Sequence, residues 1–179
     1  MSVQDPKATA KIGRALAIVD DLTARLAAVV KLTTFLAGSR AAGDTSLSTL
    51  IGAAPPQEGG ALASSSLDHL LTWRHTLTSG LQPTYAHMTL LRGAMEAAVV
   101  ARWLVDPDAG PKERVARAAA WLRESYLTRR RVETTLGVPV IPPAQPANDR
   151  LADLGREVGS LRLPARPVPK MTTLFRWPT

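Results

Sequence analysis

A chain of 179 residues, 45% hydrophobic but only 4% aromatic, is long enough for a buried core, which Leu, Val and Ala must mostly build. The absence of cysteine excludes disulfides, thiolate metal sites and a cysteine nucleophile. The net charge of +7 resides in the second half: residues 1–90 hold seven basic against six acidic side chains, residues 91–179 fifteen against nine.

Residues 7–37 predict a long amphipathic helix. Ile12, Val19 and Leu26 recur every seven residues, Leu22 and Val29 fall three after Val19 and Leu26, and Leu36 follows seven after Val29, so one face is apolar over several turns, interrupted at Thr33. Packing within a helical bundle needs no more than this stripe, and a homodimer through the same seam stays open. From 38 to 63 the chain is rich in Gly, Ala, Ser and Pro and its apolar residues keep no helical period, which predicts a flexible connection with one short turn around Leu47–Ile51. Ser64 to Ser66 then predict the start of a second helix that stops at Gly80. Pro83 opens a third helix that runs to Val105, and Asp106-Pro107-Asp108 ends it. A fourth helix over 112–136 is framed by Pro111 and Gly137, and Asn148 or Asp149 caps a fifth that ends near Leu161. The prolines at 139, 142, 143 and 146 keep the stretch before that last helix non-helical, and those at 164, 167, 169 and 178 predict an extended tail over 164–179. With no strand-like alternation anywhere, the chain reads as all-α: a helical bundle of about five helices, a single domain over residues 1–163.

The third helix carries the candidate site. Its stretch 88–105 is apolar nearly all round, the pattern of a helix buried on most sides, yet it holds Arg92, Glu96 and Arg102. Arg92 and Glu96 lie about 40° apart around the axis, and Arg102 about 80° to the other side. Charges on a buried helix must be paired. Two readings compete, a buried ion pair and a polar binding pocket in which Trp103 joins Arg92, Glu96 and Arg102.

The other polar features carry less. His69 and His75 are six residues apart and project from different faces of a helix, and His87 and Arg92 are also poorly aligned, so neither a metal site nor a catalytic constellation is read from them. No motif for a cofactor is present. Residues 112–131 hold seven basic and two acidic side chains. Arg117, Arg123, Arg129, Arg130 and Arg131 are the candidates for contact with nucleic acid. Neither aromatic interleaving nor a helix-turn-helix spacing accompanies them, and favourable placement of cations near a helix C-terminus explains the run equally well. No stretch is long and apolar enough for a membrane span and the first twenty residues lack the pattern of a signal peptide, so the expected address is cytoplasmic.

The run Leu90-Leu91-Arg92-Gly93-Ala94-Met95-Glu96, followed by Arg102-Trp103-Leu104-Val105-Asp106-Pro107 and Glu113-Arg114, resembles a group of actinobacterial helical proteins of unknown function. Those are distantly similar to the HEPN-like helical bundles of toxin and phage-defence systems. The resemblance covers residues 85–136. It implies an RNase as one functional reading, although the arginine followed four to six residues later by histidine that marks HEPN nucleases has no counterpart here. It also implies a further histidine-bearing helix beyond Thr179, with residues 170–175 as its beginning, so that the chain reads as truncated. The leading expectation is a non-catalytic, self-associating interaction module with a polar pocket around Arg92, Glu96 and Arg102, and whether it takes a small-molecule ligand is unknown. A divergent HEPN-like RNase and a basic nucleic-acid-binding module are the alternatives.

Overall fold

The computed structural model describes residues 6–29, 36–48, 50–79, 85–137 and 145–169. These form six helices and, among the described residues, no strand: α1 (Pro6–Val29), α2 (Arg40–Leu47), α3 (Ala54–Thr78), α4 (Ala86–Leu104), α5 (Pro111–Leu136) and α6 (Ala147–Ser160). The chain is an all-α helical bundle, as its composition predicts, with one helix more than expected. Two compact units divide it, one from residues 1–34 and 61–99 and the other from residues 35–60 and 100–179.

The additional helix comes from the segment 38–63, which is not the flexible connection expected. Ser39 caps α2, its Oγ accepting the Ala42 N–H. After α2 the chain doubles back at Ser48, whose Oγ accepts the Ile51 N–H at 2.8 Å and donates to Glu157 of α6 at 2.6 Å. Gly52 is required there, because a Cβ would sit 2.4 Å from the carbonyl oxygens of both Asp44 and Ser48. The second predicted helix therefore starts ten residues early, at Ala54. Pro55 and Pro56 fall in its first turn, where backbone N–H groups have no helical acceptor and their loss costs nothing. The first predicted helix is shorter than expected: Leu36 and Ala37 are non-helical, while 30–35 lie outside the described residues, as do Pro83, 138–144 and the tail beyond Pro169.

In the first unit the stripe of α1 is only partly used. Val19 is buried and Leu16 half-buried, but Ile12 and Leu22 remain exposed. Arg74 of α3 holds Asp20 of α1 at 2.9 Å. Helices α3 and α4 meet through small groups: Ser66 Oγ donates to the Ala94 carbonyl at 2.8 Å, and the His69 ring lies 2.9–3.1 Å from where a Cβ on Gly93 would be.

In the second unit α5 packs on α2 and α6. Ile51, Leu104, Val115, Ala118 and Ala147 are fully buried, a core of aliphatic side chains in keeping with the scarcity of aromatics. Helix α5 has the boundaries that its sequence predicts, with Pro111 in the first turn and Gly137 in the left-handed region at φ 69°, donating its N–H to the Glu133 carbonyl. Helix α6 ends on a reversal in which Arg162 N–H bonds the Gly159 carbonyl and Leu163 N–H the Val158 carbonyl. Residues 163–169 follow without regular structure, as the prolines predict.

Candidate functional site

Three residues that the sequence assigns to two different readings meet in one ionic network of the second unit. Arg102 and Trp103 stand at the end of α4, and Arg117 nearly two turns into α5, with Asp106 in the connection between them. Arg102 Nη1 donates to Asp106 Oδ1 at 2.7 Å, and Arg117 Nη1 donates both to Asp106 Oδ2 at 3.1 Å and to the Trp103 carbonyl at 2.9 Å. The Arg117 guanidinium lies 5.7 Å from the centroid of the Trp103 ring, within cation–π range. Its Nε reaches Glu113 at 3.1 Å, and Glu113 in turn accepts from Nε and Nη2 of Arg166 at 2.8–2.9 Å. The strap that follows α6 is thereby tied to the first turn of α5.

These hydrogen bonds set the charge state of both carboxylates. Asp106 is pulled down to about 2, chiefly by the hydrogen bond from Arg102, then by the Asp108 backbone N–H and by Arg117. Glu113 is lowered as well, with the Arg166 hydrogen bond as the main cause. Carboxylates held ionised by guanidinium donors accept hydrogen bonds well but are poor proton donors near neutral pH. The network is therefore suited to positioning chain segments and to presenting a fixed pattern of charge.

Arg92 and Glu96 stand elsewhere, and the buried cluster expected around them is corrected. They form an i,i+4 pair at 2.7 Å with side chains 76% and 37% exposed. The hydrogen bond to Glu96 raises the Arg92 pKa above the usual arginine value. Helix α4 is apolar all round, but its buried face consists of the small or compact Ala94, Ala97, Val100, Ala101 and Leu104. Met88 and Met95 of α4, 68% and 47% exposed, point outward, as does Tyr85 just before the helix, 83% exposed. An apolar helix surface with an ion pair lying across it takes the place of an internal pocket.

The basic run of α5 is also divided. Arg129 Nε donates to Glu133 at 2.7 Å and its Nη2 to the Gln145 carbonyl, while Glu133 accepts the Ala147 N–H that opens α6. Arg117 and Arg129 are thus engaged in holding the fold, and Arg123, Arg130 and Arg131 are exposed. His69 is half-buried against Gly93, His75 is exposed and His87 is half-buried. Among the described residues no group of three or more His, Asp or Glu side chains is arranged to hold a metal ion, and no helix is long and apolar enough to cross a membrane.

A cleft of about 360 Å³ opens beside the network in the same unit. Helix α5 contributes Ala116, Ala119 and Ala120 to it, α6 contributes Leu154 and Val158, and the strap contributes Leu163 and Pro164. Arg123 and Arg166 belong to its lining as well. Sequence reading missed this cleft together with Asp106, Glu113 and Arg166. The spacing Arg102/Asp106 and Glu113/Arg117 was the available signal, since both pairs are four residues apart, the second of them on one helix. No protein-family model, curated protein or solved structure matches the chain.

Proposed function

We propose that this chain is a non-catalytic helical interaction module that self-associates through the outer face of α4. The observation that carries the reading is the exposure of Tyr85, Met88 and Met95 around the Arg92–Glu96 pair. Methionine and tyrosine supply adaptable contact area, and large apolar side chains grouped on a surface mark sites of association. The face is also self-complementary. In a two-fold contact with α4 antiparallel to its copy, Arg92 of one chain stands opposite Glu96 of the other, and the methionines flank both pairs. The non-catalytic part is supported by the charge state of Asp106 and Glu113, whose guanidinium partners keep them from serving as general acids at neutral pH.

Sedimentation equilibrium on the whole chain tests the reading. The wild type is expected to dimerise, and Met88→Glu with Met95→Glu to be monomeric with unchanged helical circular dichroism. A wild type that stays monomeric at submillimolar concentration overturns self-association, as does a dimer indifferent to both substitutions.

A further inference from the structure

We infer that the cleft between α5, α6 and the strap 163–166 binds a straight-chain aliphatic carboxylate, with the apolar tail along the alanines of α5 and the carboxylate on Arg123.

The floor of the cleft follows from spacing. Ala116, Ala119, Ala120 and Arg123 fall at i, i+3, i+4 and i+7 on α5 and form one stripe, about 10 Å long, that ends in a guanidinium. Alanines keep this floor low, and the opposite wall is low at one place too. Gly155 lines the cleft from the middle of α6, where glycine weakens the helix relative to alanine. A Cβ at Gly155 would meet no atom within 4 Å, so packing does not demand glycine there. What its absence of a side chain keeps is space.

The third wall is held in place before any ligand arrives. The reversal after Ser160 turns Leu163 and Pro164 back over α6, and the two-pronged bond from Arg166 to Glu113 anchors the strap. Proline at 164 and 167 restricts the strap further. Such a preformed, mostly apolar cavity falls in the size range of small-molecule sites. At the ~30 Å³ that a water-sized group occupies, it holds roughly a dozen non-hydrogen atoms. Decanoate has that many.

The charges choose the head group. Nε and Nη2 of Arg166 are taken by Glu113, so this arginine serves as wall and anchor. Arg123 differs. Its nearest acidic partner is Glu124 at 3.6 Å, beyond hydrogen-bonding distance, and both side chains are largely exposed. Its donors are available at the end of the apolar stripe, where a carboxylate gains a charge-assisted pair that an alcohol or an amine lacks.

The experiment is calorimetric titration of the whole protein with sodium decanoate below its micelle-forming concentration, with decanol and decylamine in parallel. Saturable binding of decanoate is expected. Gly155→Leu fills the cleft and is expected to weaken binding at least tenfold while helical circular dichroism is retained. Arg123→Gln is expected to weaken decanoate about tenfold and leave decanol unchanged. The inference is overturned by an absence of saturable binding, by decanoate affinity that Gly155→Leu leaves intact, or by decylamine binding as tightly as decanoate. A change of oligomeric state in Gly155→Leu without decanoate binding to the wild type overturns it as well, and assigns the cleft to a second copy of the chain. Absence of decanoate binding leaves the α4 surface untouched, and a monomeric wild type leaves the decanoate result untouched, so the two readings fail separately; only a change of oligomeric state in Gly155→Leu bears on both.

Discussion

Arg114 of α5 grips Asp44 of α2 from seventy residues away, with Nη2 at 2.7 Å from Oδ1 and Nε at 2.9 Å from Oδ2, and both side chains are almost wholly buried. The Arg114 Nη1 also donates to the Ala109 carbonyl just before α5. Desolvating two charges is costly, so such a pair adds little net stability while it is intact. Losing one partner strands the other in the interior. Asp44→Ala is expected to destabilise the protein by about 3–5 kcal/mol, read from urea unfolding. Asp44→Leu with Arg114→Met, which removes both charges, is expected to recover most of that loss. A single variant within ~1 kcal/mol of the wild type would contradict a buried, mutually dependent pair.

The turn after α2 depends on Gly52 as tightly. A methyl group there meets two backbone carbonyl oxygens at 2.4 Å, and backbone cannot rotate aside as the end of a side chain can. Gly52→Ala is expected to cost about 1–3 kcal/mol as overpacking. Gly60 of α3 is the internal comparison, since no atom lies within 4 Å of the place of its Cβ. Gly60→Ala is expected to stabilise by roughly 0.5–1 kcal/mol. Opposite signs for the same chemical change, measured by thermal melting, check both sites at once.

Asp106 gives the acid side of the stability profile. Its pKa is depressed to about 2 in the folded protein, so the unfolded chain takes up its proton first as pH falls. The stabilisation is fully present above the unfolded value, near 4, and is lost as pH falls through about 2. Asp106→Asn removes the charge and with it this dependence. The gap in melting temperature between wild type and Asp106→Asn is expected to narrow from pH 5 toward pH 2. A gap constant over that range would show that the ionised carboxylate contributes nothing there.

How far the residues themselves disclose this fold depends on whether a signal is local. Helix α5 was legible to within a residue because Pro111 and Gly137 act on their own backbone. The stretch 38–63 was not. Its Pro and Gly read as breakers, whereas Pro55 and Pro56 sit in the one helical turn that tolerates them, and α2 is held by Arg114, far along the chain. The face of α4 failed for a related reason. Hydrophobicity alone cannot rank Ala97 against Met95, yet close approach to α3, seen at Ser66–Ala94 and His69–Gly93, selects the small side chains for the interior. Of the ionic network, Arg102, Trp103 and Arg117 were singled out, but their meeting at Asp106 and the reach of Arg166 to Glu113 arise only once the chain has folded back.

The reversal that ends α6 uses an unusual residue. Arg162 occupies the left-handed region at φ 49°, where glycine is the ordinary choice because a Cβ crowds the following carbonyl. The hydrogen bonds from Arg162 and Leu163 back to Gly159 and Val158 hold it there. Its exposed side chain makes no hydrogen bond or ion pair with a described residue, so replacing it removes no such contact. Arg162→Gly relieves the steric cost but adds freedom to the unfolded chain, and the two effects partly cancel. The net expectation is stabilisation of ~1 kcal/mol or less, with the Leu163 and Pro164 wall of the cleft kept in place. Arg162→Val, β-branched in the same left-handed position, is expected to be less stable than the wild type and to loosen that wall. Hydrogen exchange at the Leu163 amide reads both effects, slowed or unchanged in the glycine variant and accelerated in the valine variant. Equal exchange in all three proteins would mean that the backbone here does not hold the strap.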